Sequence, residues 1–424
     1  MRWKVGFHDL ENGIRVYYFY DSGGTTHICG VGFRIGSVHD QNSPGIAHLA
    51  EHMLARESTL FNGGEVYRMI FRYLGGPANL KIETTATSTY YGGPGLYYRK
   101  YMDSVMSMMV SLVKDRLIDQ VGLNSEKSAV HNELYETEED IFRNIEELLW
   151  HQTAYATNPI RNSILGTATS LQALNLSKIG HFVRRNYVAQ NMFAIVFGPN
   201  RNDSIAFAKK HLGDWPFRDK PAKVDLNGFD RMPKLDQPRI NTFPIIGLSQ
   251  FRVTAGFPTE CYISPDDAAL DVIADIVYRR LFDALREKNQ DFNSGNYRNP
   301  AFTERSLVHG LICGSVATIN RDFALYARDE IVSQFCSLKE DLLAKDFLED
   351  YKEAAKEAFF SMFRDSAESV VDLVIEATSC GDPDLRHLHT YTERLNRLTP
   401  RKIRDVANKY FSKDKFVSVM LSPA

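Results

Sequence analysis

The sequence predicts an α+β fold of two related domains, each a mixed β-sheet with helices packed on one face, and three observations carry that expectation. The first is size: 424 residues with 44% apolar and 12% aromatic content exceed one ordinary core and are enough to fill two. The second is an alternation of β-branched, aromatic runs with long helical periodicities, the pattern of sheets covered by helices. The third is an internal repeat. Lys178-Ile179, Asn186-Tyr187-Val188, Phe193-Ala-Ile-Val196 and Pro199 find counterparts in Lys402-Ile403, Lys409-Tyr410-Phe411, Phe416-Val-Ser-Val419 and Pro423, offset by 223 or 224 residues. Each half therefore closes with a helix, a tyrosine and a strand. Between the halves, 213–239 is rich in Pro, Asp, Lys and Gly without an apolar period and reads as a linker. The expected division is 1–212, linker 213–239, and 240–424.

Along the chain, 14–20 and 28–35 read as paired strands, with Asp21-Ser-Gly-Gly24 as the turn between them. Next comes Ser43-Pro-Gly-Ile-Ala-His48-Leu-Ala-Glu51-His52-Met-Leu54. Ser43 suits an N-cap and Pro44 the first helical position, while Ile46, Leu49, Met53 and Leu54 supply an anchoring face. A helical stretch over 65–74 ends at Gly75-Gly76-Pro77. The segment 79–91, opening with Asn79 and Leu80 and dense in Thr and Tyr, reads as an exposed strand. Such a strand either accepts an extended peptide along its edge or is simply solvated. Long helical patterns follow over 98–117 and 124–151, the second with Asn124 or Ser125 as cap. The second half opens with a strand over 247–257 and a helix over 265–288.

The chemistry concentrates in the first of these helices. His48 and His52 at i and i+4 share one face and can converge on a single ion, and Glu51 can sit beside that ion without ligating it. This is the H-x-x-E-H arrangement of an inverted zinc site. On the 124–151 pattern, Glu126 and Glu133 lie on one face two turns apart; Glu136, Glu138, Glu139 and Asp140 read as solvated, and His131 falls away from that face. At the corresponding place the second half reads Asp266-Asp-Ala-Ala-Leu-Asp-Val-Ile-Ala-Asp275, so only the first half is expected to bind zinc.

Other classes are excluded by composition and motif. A net charge of −3 with no dense basic run argues against nucleic acid or lipid headgroups as partners. Gly75-Gly76-Pro77 and Gly92-Gly93-Pro94-Gly95 lack a following G-K-[ST] and fit turns better than phosphate loops. No stretch approaches the roughly 18 apolar residues of a membrane span. Five scattered cysteines without a C-x-x-C pair point to a reducing compartment, so a cytoplasmic location is expected, a removed presequence being invisible here.

Taken together, these segments resemble the pitrilysin (insulinase) family of metallopeptidases, in particular its two-domain, processing-peptidase-like branch, over nearly the whole chain. Asn12-Gly-Ile-Arg15 resembles the family's opening strand, Gly45 to Leu54 its zinc helix, and Gly75-Gly76, Asn79, Thr84 or Thr85, and Tyr90 its G-G-x-x-N-A-x-T strand, with Leu80 where alanine is usual. Glu126-Lys-Ser-Ala-Val-His-Asn-Glu133 resembles its E-x6-E helix and Arg280-Leu-Phe-Asp-Ala-Leu-Arg-Glu-Lys288 its R-L-x-x-x-L-R-E-K segment. The resemblance implies a zinc endopeptidase for extended or unfolded peptides, with one Zn2+ per chain on His48, His52 and Glu133. It implies Glu51 as the general base acting on zinc-bound water, Glu126 as the supporting carboxylate, and Asn79, Leu80 and Arg286 as substrate-binding residues. It also implies a chamber built by two such chains, as a homodimer or as a heterodimer with a related subunit. There are two departures: Met53-Leu-Ala-Arg-Glu-Ser58 differs from the usual ending of the zinc helix, and Asn293 stands where the family pairs a tyrosine with the arginine at 286. The alternative is a noncatalytic or weakly active subunit of a two-chain peptidase or assembly complex.

Overall fold

The computed structural model describes residues 4–20, 27–93, 99–135, 138–198, 200–216, 230–288, 301–340, 342–365 and 367–424, by backbone only at 138–141, 286–288 and 364–365. The turn expected at 21–24 lies outside the described residues. Strands β1 (Lys4–Asp9), β2 (Arg15–Tyr20), β3 (Ile28–Phe33), β4 (Lys81–Thr84), β5 (Thr89–Gly92) and β6 (Met192–Phe197) form one sheet in the order β1-β2-β6-β3-β5-β4. Strands β7 (Arg239–Ile245), β8 (Phe251–Pro258), β9 (Phe302–Arg305), β10 (Gly310–Thr318) and β11 (Val417–Pro423) form a second, β7-β11-β8-β10-β9. Among the described residues only β2–β6 and β7–β11 pair in parallel, so both sheets are mixed. The second sheet reproduces the first from β2 to β4 in order and sense, and β6 and β11 are the strands that the internal repeat marks.

The chain gathers into two compact units. One comprises Met1–Glu136, Asn162–Asp225 and Phe360–Leu385; the other comprises Thr137–Arg161, Leu226–Phe359 and Arg386–Ala424. These units cut across a division at 213–239, because each contains a segment from the other half of the sequence. Strand alternation shows why the first unit takes up 360–385. Val16, Val31, Phe33, Ala194 and Val196 face its main core, yet Tyr17, Phe19, Phe193, Ile195 and Phe197, on the opposite face, are equally buried. That face is tied to the late segment: the Tyr17 hydroxyl meets the Thr378 hydroxyl and donates to the Pro383 carbonyl (2.7 Å), Arg15 pairs with Asp384 (2.5 Å), and Lys81 with Asp372 (2.7 Å).

Several expected elements shift in informative ways. The histidine helix α1 spans Ile46–Arg56, and its N-cap is Gly45 at φ 85°, not Ser43. The left-handed turn at Gly45 leaves Ser43 and Pro44 ahead of the helix. The Asp40 carboxylate caps it from upstream, accepting from the Gly45 N–H (2.7 Å) and the Ala47 N–H (3.1 Å). A Cβ at position 45 would lie 2.8 Å from the Leu165 carbonyl oxygen, so the close approach also requires glycine. Helix α2 (Gly63–Met69) starts at Asn62, whose side chain and that of Glu65 exchange hydrogen bonds with each other's backbone.

The 79–91 segment is not one strand but the hairpin β4–β5, because the Thr85 hydroxyl accepts from the Thr87 and Ser88 N–H groups and folds the chain back. Strand β5 is fully buried, whereas β4 is half-buried and forms the sheet edge. Helix α3 covers Arg99–Lys114. The 124–151 pattern is two helices, α4 (Gln120–Glu133) and α5 (Glu138–Ala154), and Asp119 rather than Asn124 or Ser125 caps α4, through the Gly122 N–H (2.7 Å). In the second unit the expected helix runs from Asp267 to Lys288.

Candidate metal centre

Helix α1 is held rigidly. Ile46, Leu49, Met53 and Leu54 are buried in the first unit's core, each contributing roughly 1.5–3 kcal/mol by leaving water. His48 and His52 rise from its other side with ring centroids 4.7 Å apart. Glu133, the last residue of α4, faces both: its oxygens lie 3.6 Å from His48 Nε2 and 3.2 Å from His52 Nε2. One donor atom from each of the three residues lies within 4.8 Å of the others. Glu126, two turns earlier on α4, reaches His52 on its other nitrogen, with Oε2 3.3 Å from Nδ1. His131 points away and packs against Tyr135 (5.3 Å).

The electrostatics suit a cation. Burial, followed by the neighbouring His52, pushes the His48 pKa down to about 4, so its ring is neutral at physiological pH. His48 Nδ1 is buried without a hydrogen-bond partner among the described residues. His52 also loses solvent, but its hydrogen bonds to Glu126 and Glu133 outweigh burial and raise its pKa. Glu133 is lowered, chiefly by its hydrogen bond to His52. Two convergent imidazoles and a carboxylate form the N2O donor set of an open zinc site, so the residues present fit the metal. Glu51, 5% exposed, stands 3.9 Å from His48 Nε2 and accepts from the Thr84 hydroxyl of β4 (3.3 Å); burial raises its pKa to about 7.

Three neighbours have roles that the sequence alone does not assign them. Asp40 acts through the helix start, and Thr84 becomes meaningful only once the hairpin brings β4 to Glu51. Arg56 lies one turn after His52, the one spacing that signals a shared face, and its Nε is 3.5 Å from Glu126 Oε1. It lies over Gly122, where a Cβ would sit 1.9 Å from its guanidinium. The 53–58 ending of the histidine helix thus places a cation beside the carboxylate that meets His52. Arg56→Met is expected to weaken zinc binding by roughly 3- to 10-fold, less than loss of Glu126 itself, in a chelator competition titration.

Asn79 is exposed and donates to the Leu74 carbonyl (2.7 Å), and Leu80 packs partly into the core just before β4. Arg286 falls within the helix Asp267–Lys288, but its side chain lies outside the described residues, as do Asn293 and Tyr297.

Comparison with known proteins agrees with this architecture. Residues 15–168 match the family model described as insulinase (peptidase family M16), and residues 173–355 match that of the peptidase M16 inactive domain. The chain is 22% identical to a protein named "Probable mitochondrial-processing peptidase subunit beta, mitochondrial" from Arabidopsis thaliana, over 97% of this chain and 77% of that one. It is also 22% identical to the "Zinc protease PqqE" of Helicobacter pylori, over 92% and 86%. Among solved structures, a protease from Helicobacter pylori superposes with a TM-score of 0.85 at 21% identity, covering 99% of this chain and 100% of that one. A peptidase M16 inactive domain from Pseudomonas fluorescens gives 0.82 at 18%, covering 99% and 98%. With both family models matched in succession and the two mixed sheets superposing on these neighbours, the chain belongs to the insulinase family, peptidase family M16.

Proposed function

We propose that this chain is a zinc-dependent endopeptidase for extended or unfolded peptides, with His48, His52 and Glu133 holding one Zn2+ at this centre. The convergence of their donor atoms within 4.8 Å, beside a buried carboxylate, carries the reading. Zinc bound there would polarise the scissile carbonyl and acidify water. Glu51 takes the proton of the attacking water and returns it to the leaving amine, while Thr84 orients its carboxylate. Glu126 fixes the His52 ring from behind. The outer edge of β4, unpaired among the described residues and entered through Asn79 and Leu80, offers backbone groups to an extended peptide, and Arg286 is the substrate-binding residue that the family resemblance implies for the second half. The test is His52→Ala: one equivalent of zinc per chain should be lost and hydrolysis should fall to background. Zinc retained at the wild-type level would move the centre elsewhere.

Amide hydrolysis also needs a donor for the charge that grows on the carbonyl oxygen, worth roughly 3–4 kcal/mol. Asn293 stands where the family tyrosine supplies it. This supports assembly with a second, related chain carrying the arginine and tyrosine, in preference to a self-sufficient homodimer. It also keeps open a second reading, a weakly active subunit. The single chain is expected to cleave an unstructured peptide slowly, and Asn293→Tyr to raise the rate by about 100-fold. Tyr297, four residues beyond Asn293, is the nearby phenol that could stand in for the missing tyrosine, so family-like activity of the wild-type homodimer, unaffected by Tyr297→Phe, would remove the need for a partner. All five cysteines are free, which supports a reducing, cytoplasmic location. No described helix is long and apolar enough to cross a membrane.

A further inference from the structure

The second unit contains a cluster with the same donor types at positions far apart in sequence: His151, Glu304 and His309. His151 lies in the last turn of α5, the helix that the first half of the sequence contributes to this unit. Glu304 belongs to the edge strand β9, and His309 immediately precedes β10. One ligand-capable atom from each lies within 4.8 Å of the others, as in the first cluster. His151 Nε2 is 3.1 Å from Glu304 Oε2, and the two imidazoles meet edge to face at 5.4 Å. The histidines are 5% and 6% exposed, and the Glu304 side chain keeps 25% exposure, enough for a cation or a water ligand to enter.

The ring of His309 is fixed from outside the cluster. Its Nδ1 is 2.7 Å from Ser306 Oγ, an oxygen that also accepts from the Val308 N–H (3.2 Å), which leaves Nε2 as its remaining metal-capable atom. The Tyr155 ring packs against His309 (6.1 Å), and its hydroxyl both donates to the Gly310 carbonyl (3.0 Å) and accepts from the Gly310 N–H (3.2 Å). An imidazolium–carboxylate ion pair would use only two of the three donors. The second imidazole, equally buried and held by its own hydroxyl partner, adds nothing to such a pair but completes an N2O metal set.

We propose that His151, Glu304 and His309 form a second divalent-metal site, of the class that takes Zn2+, with a structural role: it ties the end of α5 to the β9–β10 hairpin. The site is independent of the hydrolytic reading, and it raises the metal content from one to two per chain. The test uses the full chain carrying His48→Ala and His52→Ala, dialysed against Zn2+ and freed of loose metal. About one zinc per chain should remain, and added zinc should raise the melting temperature. Adding Glu304→Gln should bring zinc close to zero and abolish that rise.

Zinc near zero in the His48→Ala/His52→Ala chain overturns the proposal, and so does zinc that survives Glu304→Gln. If Glu304→Gln fails to fold, Co2+ added to the His48→Ala/His52→Ala chain decides. A visible absorption of a nitrogen–oxygen site that saturates at one equivalent supports the site, and its absence overturns it. The hydrolytic reading fails separately, if replacing His48 and His52 removes no zinc relative to wild type.

Discussion

Glu51→Gln is expected to keep zinc and the fold while peptide hydrolysis falls by about 10³- to 10⁴-fold. The amide has the size and shape of the carboxylate and keeps the Thr84 hydroxyl within reach, but it cannot accept a proton. With its pKa raised to about 7 by burial, Glu51 is matched to proton transfer near neutral pH, which a surface glutamate is not. Rate and metal content should be read on the same sample; activity within tenfold of wild type would place the base elsewhere. The same burial has a stability consequence in zinc-stripped protein. Between the unfolded value of 4.5 and about 7, the folded state retains a proton that the unfolded chain has lost, so this group's contribution declines as pH rises through that window. Glutamine has no such penalty, so the variant's melting temperature relative to wild type should be higher at pH 8 than at pH 5.

The second large effect separates the two glutamates of α4. Glu133→Gln is expected to weaken zinc binding by more than about 100-fold, and Glu126→Gln by about 10- to 100-fold, when both are titrated against a chelator. The ranking follows from which atoms they face. Glu133 meets the Nε2 atoms of both histidines, whereas Glu126 meets only His52 Nδ1, on the far side of the ring, and shares its other oxygen with Arg56. The opposite ranking would make Glu126 the ligand and Glu133 the support.

The histidines and glutamates of this centre were readable because a helix converts spacing into a shared face: four residues bring His52 over His48, and seven bring Glu133 into line with Glu126. The two mixed sheets were readable from alternation and from the repeat around Phe193 and Phe416. What escaped depends on contacts that spacing does not encode. Asp40 caps α1 from six residues upstream through a left-handed glycine, so Ser43 looked like the cap. The acidic amphipathic pattern runs on past Glu133, which concealed the break between α4 and α5. Thr-rich sequence suits both limbs of a hairpin as well as one long strand, so the fold-back at Thr85 was invisible. Nor does an amphipathic helix name the sheet it will cover, so the passage of 137–161 and 360–385 into the opposite units could not be foreseen.

That exchange governs how the polypeptide can be made. Arg15 and Asp384, which pair within one unit, are separated by 369 positions, and closing so distant a contact is slow. While the ribosome is still working through the second half, the nascent first half already has its strands but not the segment that bonds Tyr17, Arg15 and Lys81. The Tyr17 side of that sheet therefore lacks these partners for much of synthesis, during which aggregation competes with folding. For the same reason a protease cut in the 217–229 stretch would not release two autonomous halves, since each fragment would carry away a piece that the other needs.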